Sequence, residues 1–243
     1  MRLSRVFVDT PLECGARVTL RGNAAGHVTR VLRLRPGAPL TLFNGRGGEF
    51  AGRIEAARGD AVTVAVAEAS AAERESPLSL TLAQGVSRGE RMDLIVQKAT
   101  ELGVARLLPL LTERSVVRLD AKAAARKLAH WRAIAIAACE QSGRNRLPSL
   151  TEPLELREFL QGKAEDGTRL LLSPGAALGI ADVPRPAGAV TVLIGPEGGL
   201  SADEQERAMA AGFLGVRLGP RVLRTETAAI AALSLLQHQF GDL

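Results

Sequence analysis

Only two cysteines, Cys14 and Cys139, occur in the 243 residues, and their positions give no metal-ligand spacing. Such sparse usage fits a reducing, cytoplasmic setting. Cys139, inside the apolar stretch AIAIAACEQ, reads as a buried inert thiol. No apolar run reaches the roughly 20 residues needed to span a bilayer, so no membrane role is expected. The opening MRLSRVFVDT lacks the apolar core of a secretory signal, and none is expected. The three histidines, His27, His130 and His238, have no partner pattern and are assigned no catalytic role. Nowhere do His, Cys, Asp and Glu form a metal-ligand constellation, so no metal is expected. Internal repeats and low-complexity tracts are also missing.

What is present is a hydrophobic fraction of 46%, ample for a buried core. The formal charge is +5, from 31 Lys and Arg against 26 Asp and Glu. Arginine dominates that excess, and its planar fork of donors suits phosphate.

The first seventy residues alternate short β-rich runs with turns: APLTLFN, then NGRGG, EFAGRIEAA, RGD and AVTVAVAEA. A short helix is predicted around Gly22–Leu32. Arginines 2, 5, 17, 21, 30, 33, 35, 46, 53 and 58 outnumber the acids here, which is compatible with an RNA-facing module or with a solvated surface. Residues 1–70 therefore read as a small β domain and 71–77 as a linker ending at Pro77.

From residue 78 to 243 the pattern becomes α/β. Strands LSLTLAQGV, VARLLPLLT, TRLLLS, AVTVLIG and GVRLG alternate with helices, which implies a mainly parallel sheet covered on both faces. Met92, Ile95, Ala99 and Leu102 recur at helical spacing before Gly103. Ser201 and Glu204 stand three apart, the spacing of a capping box.

Ligands of parallel sheets bind beyond the carboxyl ends of the strands. Three such ends are unusual: Leu172-Ser173-Pro174-Gly175, Ile194-Gly195-Pro196-Glu197-Gly198-Gly199 and Leu218-Gly219-Pro220-Arg221. Each places glycine and proline where the chain turns and exposes backbone. No Gly-Lys-Ser/Thr follows, and GPEGG lacks the G-x-G-x-x-G spacing, so conventional phosphate loops are disfavoured. The residues alone lead to an α/β domain with a small-molecule pocket beside a basic β module.

Five stretches then carry a resemblance: HVTRVLRLRPG, RMDLIVQKATELGV, CEQSGRNRLP, IGPEGGLSADE and LGPRVLRTETAAIAAL. In this order and spacing they closely resemble the ribosomal RNA small subunit methyltransferase E family, over nearly the whole chain. The resemblance implies a SPOUT-type parallel sheet with a C-terminal trefoil knot and an N-terminal PUA-like β-barrel. It implies methylation of a uridine N3 in 16S rRNA of the small ribosomal subunit, S-adenosylmethionine (SAM) as the methyl donor, and a homodimer. Carried over by position, Leu172, Ile194, Gly195, Glu197, Gly198 and Gly199 would line the cofactor pocket. Leu218, Gly219, Leu223 and Thr225 would close it. Asn145 resembles a position near the substrate, flanked by Arg144 and Arg146 as phosphate ligands. Arg5, Arg30, Arg33 and Arg35 are the candidate RNA contacts of the first domain.

The implied reaction requires an unpaired uracil, loss of the N3 proton and in-line placement of the methyl. Arg224 is the candidate to stabilise negative charge on the uracil carbonyls. Glu197 or Glu226 either takes the proton or holds a loop together. Lys98 and Glu101 read as an ion pair or as functional groups. Two alternatives stay open: a knotted methyltransferase with another RNA target, and a non-catalytic ribosome-assembly factor.

Overall fold

Period-two alternation builds the first part of the chain. In β5 (Ala61–Ser70), Val62, Val64 and Val66 all point inward, with at most 2% of their surface exposed. The computed structural model describes residues 3–115, 120–162 and 167–243, which leaves Arg2 outside the described residues. Contacts divide the chain into two units, Met1–Glu75 with Ile136–Leu147, and Ser76–Ala135 with Pro148–Leu243.

The first unit contains β1 (Arg5–Phe7), β2 (Arg17–Arg21), α1 (Gly22–Gly26), β3 (Pro39–Phe43), β4 (Glu49–Arg58) and β5. Among the described residues these strands form one sheet of order β1-β3-β4-β5-β2. The β1–β3 pair is parallel and the others antiparallel. Val6, Leu20, Leu40, Leu42, Ile54 and the β5 valines form its core. The helix predicted over Gly22–Leu32 forms, but its second half, His27–Val31, widens into a π turn. There the Leu32 N–H donates to the His27 carbonyl at 2.9 Å. Arg33, at φ 53°, ends it in the left-handed region.

The domain boundaries differ from the sequence reading. Residues 136–147 belong with the first unit because Cys139 packs with Phe7 and Phe43, and Ile136 and Leu147 seal that cluster. The Phe7 N–H also donates to Glu140 Oε1 at 3.0 Å. The expected linker, 71–77, is hydrogen-bonded within the first unit at Ala72 and Glu75. The Asn145 amide donates to the Ala72 carbonyl at 2.5 Å, and Arg144 Nε donates to Glu75 at 3.0 Å.

The second unit holds β6 (Leu80–Gly85), α2 (Glu90–Glu101), β7 (Arg106–Leu111) and α3 (Ala121–Ser142), whose last turns belong to the first unit. It continues with β8 (Ser149–Leu150), β9 (Leu154–Glu155), α4 (Leu156–Gln161), β10 (Gly167–Leu172) and β11 (Leu178–Gly179). A 3₁₀ turn (Ile180–Asp182), β12 (Ala189–Ile194), α5 (Ala202–Ala210), β13 (Leu214–Arg217) and α6 (Thr225–Phe240) complete it.

The sheet order is β11-β13-β10-β12-β6-β7-β8, with β9 also on β7, and each of these pairings is parallel. Both faces are covered. Leu80, Leu82, Val190 and Val192 pack with Met92 and Ile95 of α2 and with Ala229 and Leu233 of α6. Leu108, Leu171 and Leu193 pack on the other face with Leu156 of α4 and Ala208 of α5. The capping box of α5 is present: Ser201 Oγ accepts from the Glu204 N–H at 3.2 Å, and Glu204 Oε2 accepts from the Ser201 N–H at 2.8 Å. No helix of the described residues is long and apolar enough to cross a membrane.

Candidate functional site

Because β13, β10, β12 and β6 are parallel neighbours, their carboxyl ends emerge at the same edge of the sheet. The three glycine- and proline-bearing turns therefore meet, and they line a cavity of about 510 Å³. Ligand pockets commonly enclose about 300–1,000 Å³. Leu172 comes from the β10 end; Ile194, Gly195, Glu197, Gly198 and Gly199 come from the turn after β12. Leu218, Gly219 and Leu223 come from the turn after β13, and Arg224, Thr225 and Glu226 from the start of α6. All ten candidate cofactor residues and the three candidate catalytic residues thus border one cavity.

Hydrogen bonds between distant segments hold its wall. Thr225, 6% exposed, donates its hydroxyl to the Gly195 carbonyl at 2.8 Å. Fully buried Gln84, at the end of β6, donates Nε2 to Thr225 Oγ1 at 3.0 Å and to the Gly195 carbonyl at 3.2 Å. Ser173 Oγ lies 3.1 Å from Gln205 Oε1, and Gln205 Nε2 donates to the Leu200 carbonyl at 3.2 Å. Gly195 must lack a side chain: a Cβ there would stand 2.8 Å from the Gly199 carbonyl carbon and from the Leu200 nitrogen. Gly199, at φ 66°, occupies the left-handed region that turns the chain into α5. Gly195, Gly198 and Gly199 thus contribute backbone to the cavity wall.

The two carboxylates differ. Glu197 accepts from the Arg88 N–H at 3.0 Å and from Arg91 Nη1 at 2.8 Å. Burial pushes its carboxyl up, but those hydrogen bonds outweigh it and hold the group below the usual carboxylate range. Glu197 is thus tied to Arg88 and Arg91, which favours the second of its two expected roles, holding its turn. Glu226, in the first turn of α6, has a buried Oε2 with no hydrogen-bond partner among the described residues. Arg224 and Arg221 are exposed on the cavity wall, without an ion-pair partner among the described residues.

The RNA candidates divide by exposure. Arg30, Arg33, Arg35 and Arg146 are exposed, Arg146 lying 3.5 Å from Glu73. Arg5, Arg144 and Asn145 are buried. Arg5 is 7% exposed and bonds Glu49 and Asn145 Oδ1; Arg144 is 3% exposed and bonds Glu75; Asn145 is fully buried. A buried guanidinium needs such partners, and here they come from the same unit. Lys98 and Glu101 form an ion pair at 2.9 Å.

Sequence reasoning missed Gln84, Gln205 and Arg91. Gln84 alone left a signal, a polar amide at the end of the apolar strand LSLTLAQGV.

Residues 74–237 match the family model of an RNA methyltransferase domain, and residues 20–67 match that of an RNA methyltransferase PUA domain. The cavity therefore lies in the RNA methyltransferase domain of a two-part protein. A ribosomal RNA small subunit methyltransferase E of Buchnera aphidicola (subsp. Schizaphis graminum) is 33% identical over 242 residues, covering 100% of this chain and 98% of the relative. That of Bacillus subtilis is 30% identical over 250 residues, covering 98% and 97%. Two solved structures cover 100% of both chains. One, a Legionella pneumophila methyltransferase in complex with SAM, has a TM-score of 0.96 at 44% identity. The other, a Neisseria gonorrhoeae ribosomal RNA small subunit methyltransferase E bound to SAM, has a TM-score of 0.92 at 38% identity. The chain belongs to the ribosomal RNA small subunit methyltransferase E family.

Proposed function

We propose that the protein methylates N3 of a uridine in 16S rRNA of the small ribosomal subunit, with SAM held in the cavity between the three turns. The observation that carries this reading is the Gln84–Thr225–Gly195 network, which joins three strand-end segments into one backbone-rich wall. A cavity of about 510 Å³, a glycine cradle that a Cβ would fill, and the unpartnered Glu226 oxygen fit a nucleoside cofactor carrying positive charge.

When bound, SAM supplies a methyl group on a positively charged sulfur. The N3–H bond of the uracil must break as the bond from N3 to the methyl carbon forms and the sulfur keeps the electron pair of its broken bond. Backbone groups of the Ile194–Leu200 and Leu218–Leu223 turns bind and orient the cofactor. Arg224 stabilises the negative charge that grows on the uracil carbonyl oxygens. Glu226 accepts the N3 proton, since Glu197 is committed to Arg88 and Arg91. Exposed Arg30, Arg33 and Arg35 bind RNA phosphate from the first unit, with Arg146 assisting.

The finer architecture follows the same reading. The mixed five-stranded sheet supports a PUA-like barrel, and the return of β13 between β10 and β11 supports a trefoil knot. A cytoplasmic homodimer is proposed, supported by partly exposed Leu94 and Leu235 on the neighbouring helices α2 and α6.

The test combines purified protein, labelled SAM and small ribosomal subunits from cells lacking this methylation, with the product nucleoside identified by mass spectrometry. Methyl on uridine N3 is expected. Methyl on ribose, or on tRNA alone, would overturn the proposal.

A further inference from the structure

The cavity wall carries one acid whose charge has no local use. Of its charged residues, Arg91 is spent on Glu197 at 2.8 Å, and Arg217 donates to the carbonyls of Ala176, at 2.9 Å, and Ala177. Arg221 and Arg224 are exposed. Glu226 has Oε2 buried without a donor among the described residues, a costly state for an ionised group. It lies two positions from Arg224 and next to Thr225, where the turn after β12 is fastened. Its charge reaches Arg91, whose guanidinium is held above its ordinary value first by the Glu197 hydrogen bond and to a smaller degree by Glu226.

We infer that Glu226 reads the charge on the cofactor's sulfur, favouring the sulfonium over the neutral thioether that remains after methyl transfer. This rests on the reading of the cavity as the SAM site. The two nucleosides share adenine, ribose, amino and carboxylate groups, and differ by one methyl and one positive charge at sulfur. Hydrogen bonds from the turns hold both forms alike. A carboxylate beside the sulfur, with one oxygen buried, would separate them by Coulomb attraction worth about tenfold or more in affinity. The methyl must face the end of the cavity where the target base meets Arg224, and Glu226 belongs to that end.

One consequence follows for product release. Once the methyl has been transferred, the positive charge beside Glu226 is gone. The product thioether, having lost its counter-charge, dissociates more readily than the substrate.

Titration calorimetry with SAM and with S-adenosylhomocysteine, on wild type and E226Q, tests the inference. Thermal unfolding of both ligand-free proteins verifies that the variant is folded. Wild type should bind SAM about tenfold or more tighter than the thioether; E226Q should lose most of its SAM affinity and leave thioether affinity unchanged. E226D, which keeps the charge, should retain part of the preference. Equal losses for both ligands, or no change for either, would overturn the inference while leaving the cavity as the cofactor site. Wild type binding neither ligand would overturn the cofactor reading itself.

Discussion

The Thr225 hydroxyl donates to the Gly195 carbonyl at 2.8 Å, so the first residue of α6 closes a turn 30 positions earlier. The same hydroxyl accepts from Gln84 Nε2 at 3.0 Å, and both of these side chains are buried. Thr225→Val keeps the shape and removes the hydroxyl, taking one acceptor from buried Gln84 and weakening the hold on the Gly195 carbonyl. We expect a loss of about 1–3 kcal/mol in denaturant unfolding and weaker SAM binding by calorimetry. An unchanged midpoint would mean that the turns hold together without the Thr225 link.

Gly195→Ala should be more damaging to binding than its single methyl suggests. The added Cβ would press on backbone atoms of Gly199 and Leu200 at 2.8 Å, and backbone cannot swing aside as a side chain can. Affinity for SAM should fall at least about tenfold, equivalent to ~1.4 kcal/mol, with far-UV circular dichroism retained. By contrast, a Cβ at Gly198 would stand 3.1 Å from the Arg114 Cβ, so Gly198→Ala should be milder than Gly198→Val.

Removing the Arg5 guanidinium should destabilise the first unit. Arg5→Ala leaves Glu49 and Asn145 without their shared donor, at a cost of about 3–5 kcal/mol. Arg5→Lys should recover little, since one ammonium cannot reproduce the fork that reaches Glu49, Asn145 and the Arg144 carbonyl. Hydrogen exchange of the β1, β3 and β4 amides would reveal the loss.

The two thiols should react on different timescales. Burial pushes Cys139 up to about 11, with nearby Arg144 only partly opposing it, whereas Cys14 is exposed. At pH 8 roughly one Cys139 in a thousand is thiolate. A disulfide reagent should therefore titrate one thiol quickly and the second only on unfolding, or as pH approaches 11. Two fast thiols in the native protein would contradict the packing of Cys139 with Phe7 and Phe43.

Arg30→Ala combined with Arg33→Gly should lower RNA affinity and reduce the salt slope of binding by about 1–2. Glycine is chosen at 33 because Arg33 sits at φ 53°, where a glycine relieves strain as the charge is removed. Unchanged affinity and slope would exclude this face from RNA binding.

Local periodicity made much of the fold legible. Met92, Ile95 and Ala99 repeat at helical spacing and are buried in α2, and Ser201 with Glu204 marks the start of α5 as the capping spacing predicts. The β8, β9 and β11 pairs are two residues long, too short to show any period. Assignment of residues 136–147 to the first unit depends on Cys139 meeting Phe7 and Phe43, a match of shapes far apart in the chain. The cavity was legible as three turns because glycine and proline announce backbone exposure. Charge was the weakest guide: Arg5, Arg144 and Glu197 read as functional groups, but each is occupied by a partner that spacing does not reveal.

The chain order of the cavity also governs when it can exist. Every strand of the larger sheet is complete by Arg217, but the clasp on Gly195 is Thr225, and the acid beside it is Glu226. A nascent chain halted between them would hold the whole sheet and still lack a closed pocket. Cofactor capture during synthesis therefore reports that α6 has left the exit tunnel and docked. A pulse of SAM offered to stalled chains of increasing length should be retained only once that helix is free to fold.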